Sequence, residues 1–164
     1  MDLNNIDQRV HAGVIVLQER SSEHLILTKR SEHLRNHPGE ICFPGGVWEE
    51  GDETFYATAL RELKEELGID SSRVTLIKEL DREQTVLGSV IYPWLVSIES
   101  INPFHINESE VSSIISVPMF LVQDPKNYQE ITMERKGFKF KSCQFTGHPE
   151  FIWGATARIM KQLS

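Results

Sequence analysis

The sequence predicts a domain of mixed α/β class, and three observations carry that expectation. Residues 9–19 hold the dense Val, Ile and Leu run of a strand with apolar groups on both faces. Within residues 45–69, one amphipathic helix follows a Gly-Gly pair. Several further strand-like runs follow, separated by Pro, Gly and Asn turn signals.

The elements can be justified in order. Val10, Ala12, Val14 and Val16 alternate with His11, Gly13, Ile15 and Leu17, so the strand from Arg9 to Glu19 is expected to be central. Ser21 and Ser22 mark a turn into a second strand, Leu25 to Lys29, and the two form a hairpin. A basic loop carrying Lys29, Arg30 and Arg35 comes next, and Pro38-Gly39 and Pro44-Gly45-Gly46 read as turns. Glycine at the latter site lets backbone approach a ligand closely. In the helix, Tyr56, Ala59, Leu60, Leu63 and Leu67 make the apolar stripe. Asp52 is the expected N-cap, Gly68 suits a left-handed C-cap, and Ile69 is placed for the accompanying apolar contact.

Val74 to Leu80 reads as a strand, followed by the polar connection Asp81-Arg82-Glu83-Gln84. Ser89 to Glu99 is another strand, and Pro93 inside it predicts an edge position or a bulge. Asn102-Pro103 opens a loop that runs to Val111. Gln129 to Arg135 and Gly137 to Phe145 form a hairpin turning at Lys136-Gly137, with Lys139 and Lys141 on one face as edge protection. The last helix is expected to open at Phe151-Ile152-Trp153, with Ile152, Ala155, Ile159 and Leu163 packing inward.

Composition narrows the function classes. The 164 residues are 40% apolar and 25% charged, which fits a globular domain and disfavours disorder or a membrane span. The polar opening, MDLNNIDQRV, lacks the pattern of an export signal. Cys42 and Cys143 have no metal-binding spacing and read as reduced thiols of a cytoplasmic protein. A formal charge of −7 argues against nucleic acid as a partner. An anionic small-molecule substrate would need local basic groups and metal ions.

Glu62, Glu65 and Glu66 lie at i, i+3 and i+4 and share one helix face. A solvated acidic surface is the plain reading. The chemical reading is a set of hard oxygen ligands for Mg²⁺ or Mn²⁺ on a rigid element. The stretch Arg61-Glu62-Leu63-Lys64-Glu65-Glu66-Leu67-Gly68-Ile69, after Gly45-Gly46, weighs toward the second. It resembles the Nudix box of hydrolases that cleave a diphosphate linked to another group. The gap from Gly46 to Glu53 is one residue longer than the general pattern, which leaves Asp52 and Glu53 as alternatives for its first acidic position. Upstream, Ile26-Leu27-Thr28, Arg30-Ser31, Arg35, Gly39 and Phe43-Pro44-Gly45-Gly46 keep the spacing of the accessory motif of coenzyme A pyrophosphatases, a Nudix subfamily. The longer gap also resembles that subfamily, as do Val117-Pro118 leading into a short helix near Asp124-Pro125, and Trp153-Gly154 with Thr156-Ala157-Arg158.

The resemblance implies a single Nudix hydrolase domain over residues 1–164, with an α/β/α sandwich around a central mixed sheet. It implies metal-dependent hydrolysis of the diphosphate of coenzyme A or its derivatives. Glu62, Glu65 and Glu66 would hold Mg²⁺ or Mn²⁺, and Arg61 would orient a neighbouring carboxylate. The general base is left among Glu65, Glu66, Glu110 and Glu108, the last two in a late loop where acids at a helix N-terminus are the plain alternative. Arg30, Arg35, Gly45 and Gly46 are the expected substrate contacts. A monomer or homodimer fits equally. Other functions left open are hydrolysis of ADP-ribose or a dinucleotide, removal of damaged nucleoside triphosphates, and a non-catalytic binding module of the same fold.

Overall fold

The computed structural model describes residues 9–164. The polar opening segment expected to lack an export signal lies outside them as far as residue 8. In chain order the elements are β1 (His11–Glu19), β2 (His24–Arg30), β3 (Ile41–Cys42), β4 (Gly45–Val47), α1 (Phe55–Leu67), β5 (Thr75–Glu79), β6 (Glu83–Gln84), β7 (Val90–Ile98), β8 (Val111–Pro118), α2 (Met119–Val122), β9 (Tyr128–Arg135), β10 (Phe138–Phe145), β11 (Ile152–Trp153) and α3 (Gly154–Lys161).

β1 is the axis of a mixed sheet ordered β3-β2-β1-β7-β5. Along one side it pairs in parallel with β7 from His11↔Val90 to Glu19↔Ile98. Along the other it pairs antiparallel with β4 at one end and β2 at the other. β6 pairs antiparallel with β7, and β8 pairs antiparallel with β2. Because side chains alternate across a strand, β1 feeds two cores. Ile15 and Leu17 pack with Ala59, Leu63, Leu67 and Ile69 beneath α1. Val16 joins Leu25, Leu27 and Phe43 against Ala157, Ile159 and Met160 of α3. The outer layer on that side also contains a three-stranded sheet, β11-β10-β9, beyond the helices of the expected sandwich. Among the described residues no helix is long and apolar enough to cross a membrane.

α1 is fastened where the chemistry needs it. The Thr54 hydroxyl accepts from the Ala57 N–H at 3.0 Å, so Thr54 is the N-cap, and the expected cap Asp52 has other partners. At the far end Gly68 takes φ 67° and donates its N–H to the Lys64 carbonyl, as the sequence predicts. Gly13 lies directly under the first turn. A Cβ there would collide with the Phe55 carbonyl, so glycine sets how closely helix and sheet approach.

Several expectations are corrected. Pro93 lies on an interior strand rather than at an edge, and the irregularity between β5 and β7 falls at Leu76/Lys78. The Pro93 carbonyl accepts from Leu80 N–H at 2.9 Å. The proline nitrogen therefore faces the same side, at the gap between β5 and β6, where no ladder donor is required. Gly45 and Gly46 belong to a strand, not a turn; a Cβ on Gly45 would come within 2.7 Å of Val14 Cα. Ile152 and Trp153 pair with β10 before α3 begins. Ala157 and Met160 are buried in place of the expected Ala155, and the helix starts at Gly154, three residues after the expected Phe151. The β9–β10 hairpin turns at Lys136 and Gly137 as expected, with both φ positive (52° and 82°), the two-residue turn that matches strand twist.

Gly13→Ala is expected to lower stability by about 1–3 kcal/mol, the usual cost of overpacking. The midpoint of urea unfolding, at unchanged slope, checks this.

Candidate active site

The box helix brings two carboxylates together with one from a distant loop. Oxygens of Glu62, Glu65 and Glu110 all lie within 4.8 Å of one another. Glu110 reaches this point because its loop satisfies the open end of α1. The last carbonyls of a helix have no internal partner. Here the Glu66 carbonyl accepts from Asn107 N–H at 2.9 Å, and the Leu67 carbonyl from His105 N–H at 2.8 Å. Glu110 N–H then turns back to the Asn107 carbonyl, and the Glu110 carbonyl accepts from Ser31 N–H at 2.9 Å. The late loop is thus tied both to α1 and to the start of the basic loop. Among the described residues no helix begins at Glu110; β8 begins at the next residue, Val111.

Arg61 organises the acids. Its Nε and Nη2 donate to the two oxygens of Asp52 at 2.9 and 3.0 Å, a bidentate pair. Nη1 donates to Glu62 at 2.9 Å and to Glu65 at 3.3 Å. Asp52 also accepts from Glu49 N–H at 3.0 Å and from the Thr58 hydroxyl at 2.8 Å. These donors, Arg61 first, hold the Asp52 carboxyl well below the usual carboxylate range. The Arg61 guanidinium is pushed correspondingly up. Of the two alternatives for the first acidic position, Asp52 is the one bound to Arg61. Glu53 is exposed, and with Asp52 it lines a cleft outside the carboxylate cluster.

Glu66 stands behind the other three. It is 5% exposed, and its Oε2 accepts from Gly45 N–H at 2.9 Å. Burial pushes its carboxyl up to about 8; the Gly45 N–H opposes this, while Glu62 and Glu110 add to it. Glu62 is pushed up to about 6, first by burial and then by Glu65 and Glu110, with Arg61 opposing. Glu110 Oε2 is buried and has no hydrogen-bond partner among the described residues. A cluster of crowded, oxygen-only donors with an orphaned buried carboxylate oxygen fits a hard divalent cation of the Mg²⁺ or Mn²⁺ kind.

The other predicted residues are placed as follows. Arg30 donates Nε and Nη2 to the Asn36 carbonyl at 3.2 and 2.9 Å, and its charge acts on Glu66. Arg35 and Glu108 are exposed. Gly46 faces the cluster closely: a Cβ would lie 2.6 Å from the Glu62 carboxyl carbon. Lys29 is paired with Glu150 at 3.3 Å and Lys141 with Glu130 at 3.5 Å. Sequence reasoning expected Arg61 to orient a neighbouring carboxylate without choosing Asp52 as its bidentate partner, and it missed the Gly45 N–H on Glu66. Neither has a periodic signature, since both join a loop or strand to the helix.

Comparison with known proteins bears on the family and the fold. A family model described as the NUDIX domain matches residues 7–133. A protein of Escherichia fergusonii named "Uncharacterized Nudix hydrolase NudL" is 33% identical over 159 residues, covering 97% of this chain and 83% of that protein. A MutT/nudix family protein from Enterococcus faecalis has a similar fold at a TM-score of 0.63 and 15% identity, over 99% of this chain and 63% of that one. The NUDIX domain of Shewanella oneidensis NrtR, solved with ADP ribose, aligns at a TM-score of 0.55 and 21% identity, over 73% and 79% of the two chains.

Mn²⁺ is expected to raise the melting temperature of the wild-type protein by preferential binding to the folded state. Gly46→Ala, which displaces the Glu62 carboxylate, should lose most of that rise while its metal-free melting temperature changes by no more than about 3 °C. Differential scanning calorimetry with and without Mn²⁺ reads both.

Proposed function

This chain belongs to the NUDIX domain family and is a Nudix diphosphatase, and we propose that it hydrolyses the diphosphate of coenzyme A or its derivatives. The products would be 3′-phosphoadenosine 5′-phosphate and 4′-phosphopantetheine. One observation carries the choice of substrate: the full spacing from Leu27 to Gly46 resembles the coenzyme A pyrophosphatase motif. The reading takes residues 1–164 as one catalytic domain and a cytoplasmic setting, the latter supported by Cys42 and Cys143 being free thiols.

In this reading Glu62, Glu65 and Glu110, with Glu66 behind them, would hold the divalent cation. When bound, that cation supplies charge neutralisation at the phosphate oxygens and Lewis acidity toward water. The chain's own groups do the rest. Arg61 keeps Glu62 and Glu65 on one side of the cluster and leaves their remaining lone pairs available. The Gly45 N–H fixes one Glu66 oxygen, so that carboxylate cannot swing away. The attacking water gives its proton to a carboxylate of the cluster, with Glu65, Glu66 and Glu110 the candidates. Arg30 and Arg35 approach the substrate phosphates from the basic loop, and the backbone of Gly45 and Gly46 lines the approach.

Incubation with coenzyme A, ADP-ribose and a nucleoside triphosphate, each with and without Mg²⁺ or Mn²⁺, tests the proposal, with products read by mass. Metal-dependent 4′-phosphopantetheine, formed fastest from coenzyme A, is the expected result. Turnover of ADP-ribose alone would remove the substrate assignment and keep the chemistry. Glu65→Gln is expected to lower kcat by about 10²-fold or more with the fold retained by circular dichroism; near-normal turnover would take Glu65 out of the machinery.

A further inference from the structure

A cavity of about 530 Å³ lies where α3, β6 and the β9–β10 hairpin meet, within the size range of small-molecule sites. Neither Glu62, Glu65, Glu66 nor Glu110 lines it. The hairpin contributes Glu130 from β9 and Lys141, Ser142 and Cys143 from β10, with Cys143 opposite Glu130 in the ladder. α3 contributes Arg158 and Lys161, which are three residues apart and share one helix face. β6 contributes Glu83.

The charges of this cavity do not cancel. Lys141, Arg158 and Lys161 line it against Glu83 and Glu130, in a chain whose formal charge is −7. Both carboxylates are already engaged. Glu83 accepts from Arg158 Nε at 3.0 Å, and Glu130 lies 3.5 Å from Lys141 Nζ. Lys161 has no carboxylate partner among the described residues. Burial pushes the Cys143 thiol up, and Lys161 and Arg158 oppose that push, so both cations are felt at the cavity wall. One positive charge is therefore left uncompensated beside a partly enclosed space.

A second observation is independent of charge. Ser142 lines the cavity and is 9% exposed, and its Oγ is buried with no hydrogen-bond partner among the described residues. Buried polar groups are nearly always paired, so a hydroxyl left open here calls for an acceptor that enters from the cavity. We propose that this cavity binds a small oxyanion, a phosphate or a carboxylate, through the Lys161 ammonium and the Ser142 hydroxyl. An ammonium is a point charge with rotatable donors, and a hydroxyl turns to suit its acceptor, so the pair serves a tetrahedral or a planar anion alike. The Lys141–Glu130 pair is exposed and weak in water, which leaves Lys141 able to turn toward the same ligand. The site shares no residue with the carboxylate cluster and does not depend on which diphosphate the enzyme hydrolyses.

Amide proton–nitrogen correlation spectra of the full chain test the site, titrated with inorganic phosphate and separately with acetate. Sodium chloride of equal ionic strength is the control, and no divalent metal is added. Saturable shifts at the amides of Ser142, Cys143, Lys161 and Gln162 are expected with at least one of the two anions and not with chloride. Which of them saturates says whether the ligand is a phosphate, a carboxylate or either. Lys161→Glu, at an exposed position, and Ser142→Ala should each weaken binding by about tenfold or more, the loss of one charge-assisted contact. Ser142→Ala removes a hydroxyl that has no partner in the free protein, so its melting temperature without anion should not fall. The anion should raise the melting temperature of the wild type and not that of Ser142→Ala. No saturation by either anion at tens of millimolar, shifts confined to the basic loop around Arg30 and Arg35, or binding unaltered in either variant would overturn the proposal. A lone water beside Ser142 gives the first of these outcomes.

Discussion

The guanidinium of Arg61 is the constraint on which the site depends. Glu62 and Glu65 would otherwise repel each other across one helix face, and Asp52 would add a third charge. The planar fork of Arg61 meets Asp52 with two parallel hydrogen bonds and spends its remaining nitrogen on both glutamates. It also reaches the Val47 carbonyl at 3.4 Å, which ties β4 to the helix. A lysine, with a single point of charge, has no geometry that serves these partners together.

That arrangement holds only because α1 itself is held at both ends. At its start, Thr54 caps the helix and Gly13 lets Phe55 settle against the sheet. At its end, Gly68 closes the last turn while His105 and Asn107 occupy the open carbonyls. The second of these contacts has two consequences. It satisfies a backbone acceptor that burial would otherwise leave costly, and it delivers Glu110 to Glu62 and Glu65. Stability of the helix terminus and assembly of the site are therefore the same set of hydrogen bonds. Catalytic groups carried on such fixed elements keep their geometry better than groups on free loops.

The central strand divides the labour of the molecule. Alternate residues of β1 serve the core under α1 and the core under α3. Toward its first residues the α1-facing side runs out of aliphatic packing, and His11 joins Phe55, Tyr92 and Trp94 in a half-buried aromatic wall. The box helix thus has the carboxylate cluster along one face and an aromatic cleft at its first turn. Asp52 and Arg61 stand between them.

The sequence by itself determined the elements with a strong local signal. These are β1 and its hairpin, the amphipathic α1 with its glycine cap, the Lys136-Gly137 turn, and the shared face of Glu62, Glu65 and Glu66. Each follows from periodicity or backbone freedom within a few residues. The Arg61 to Ile69 pattern was specific enough to point to the family. Local signals misjudged Pro93, because whether a missing N–H matters depends on the gap between β5 and β6 beside it. They also chose Asp52 as the helix cap, although Arg61 and Thr58 compete for that carboxylate. Tertiary structure alone decided that Glu110 joins Glu62 and Glu65, that Glu66 is buried against Gly45, and that four aromatic rings meet beside the box. In each case the partners lie far apart in the chain or on different elements. Chain topology brings them together, and burial then sets their charge and contacts; no spacing in the sequence records either.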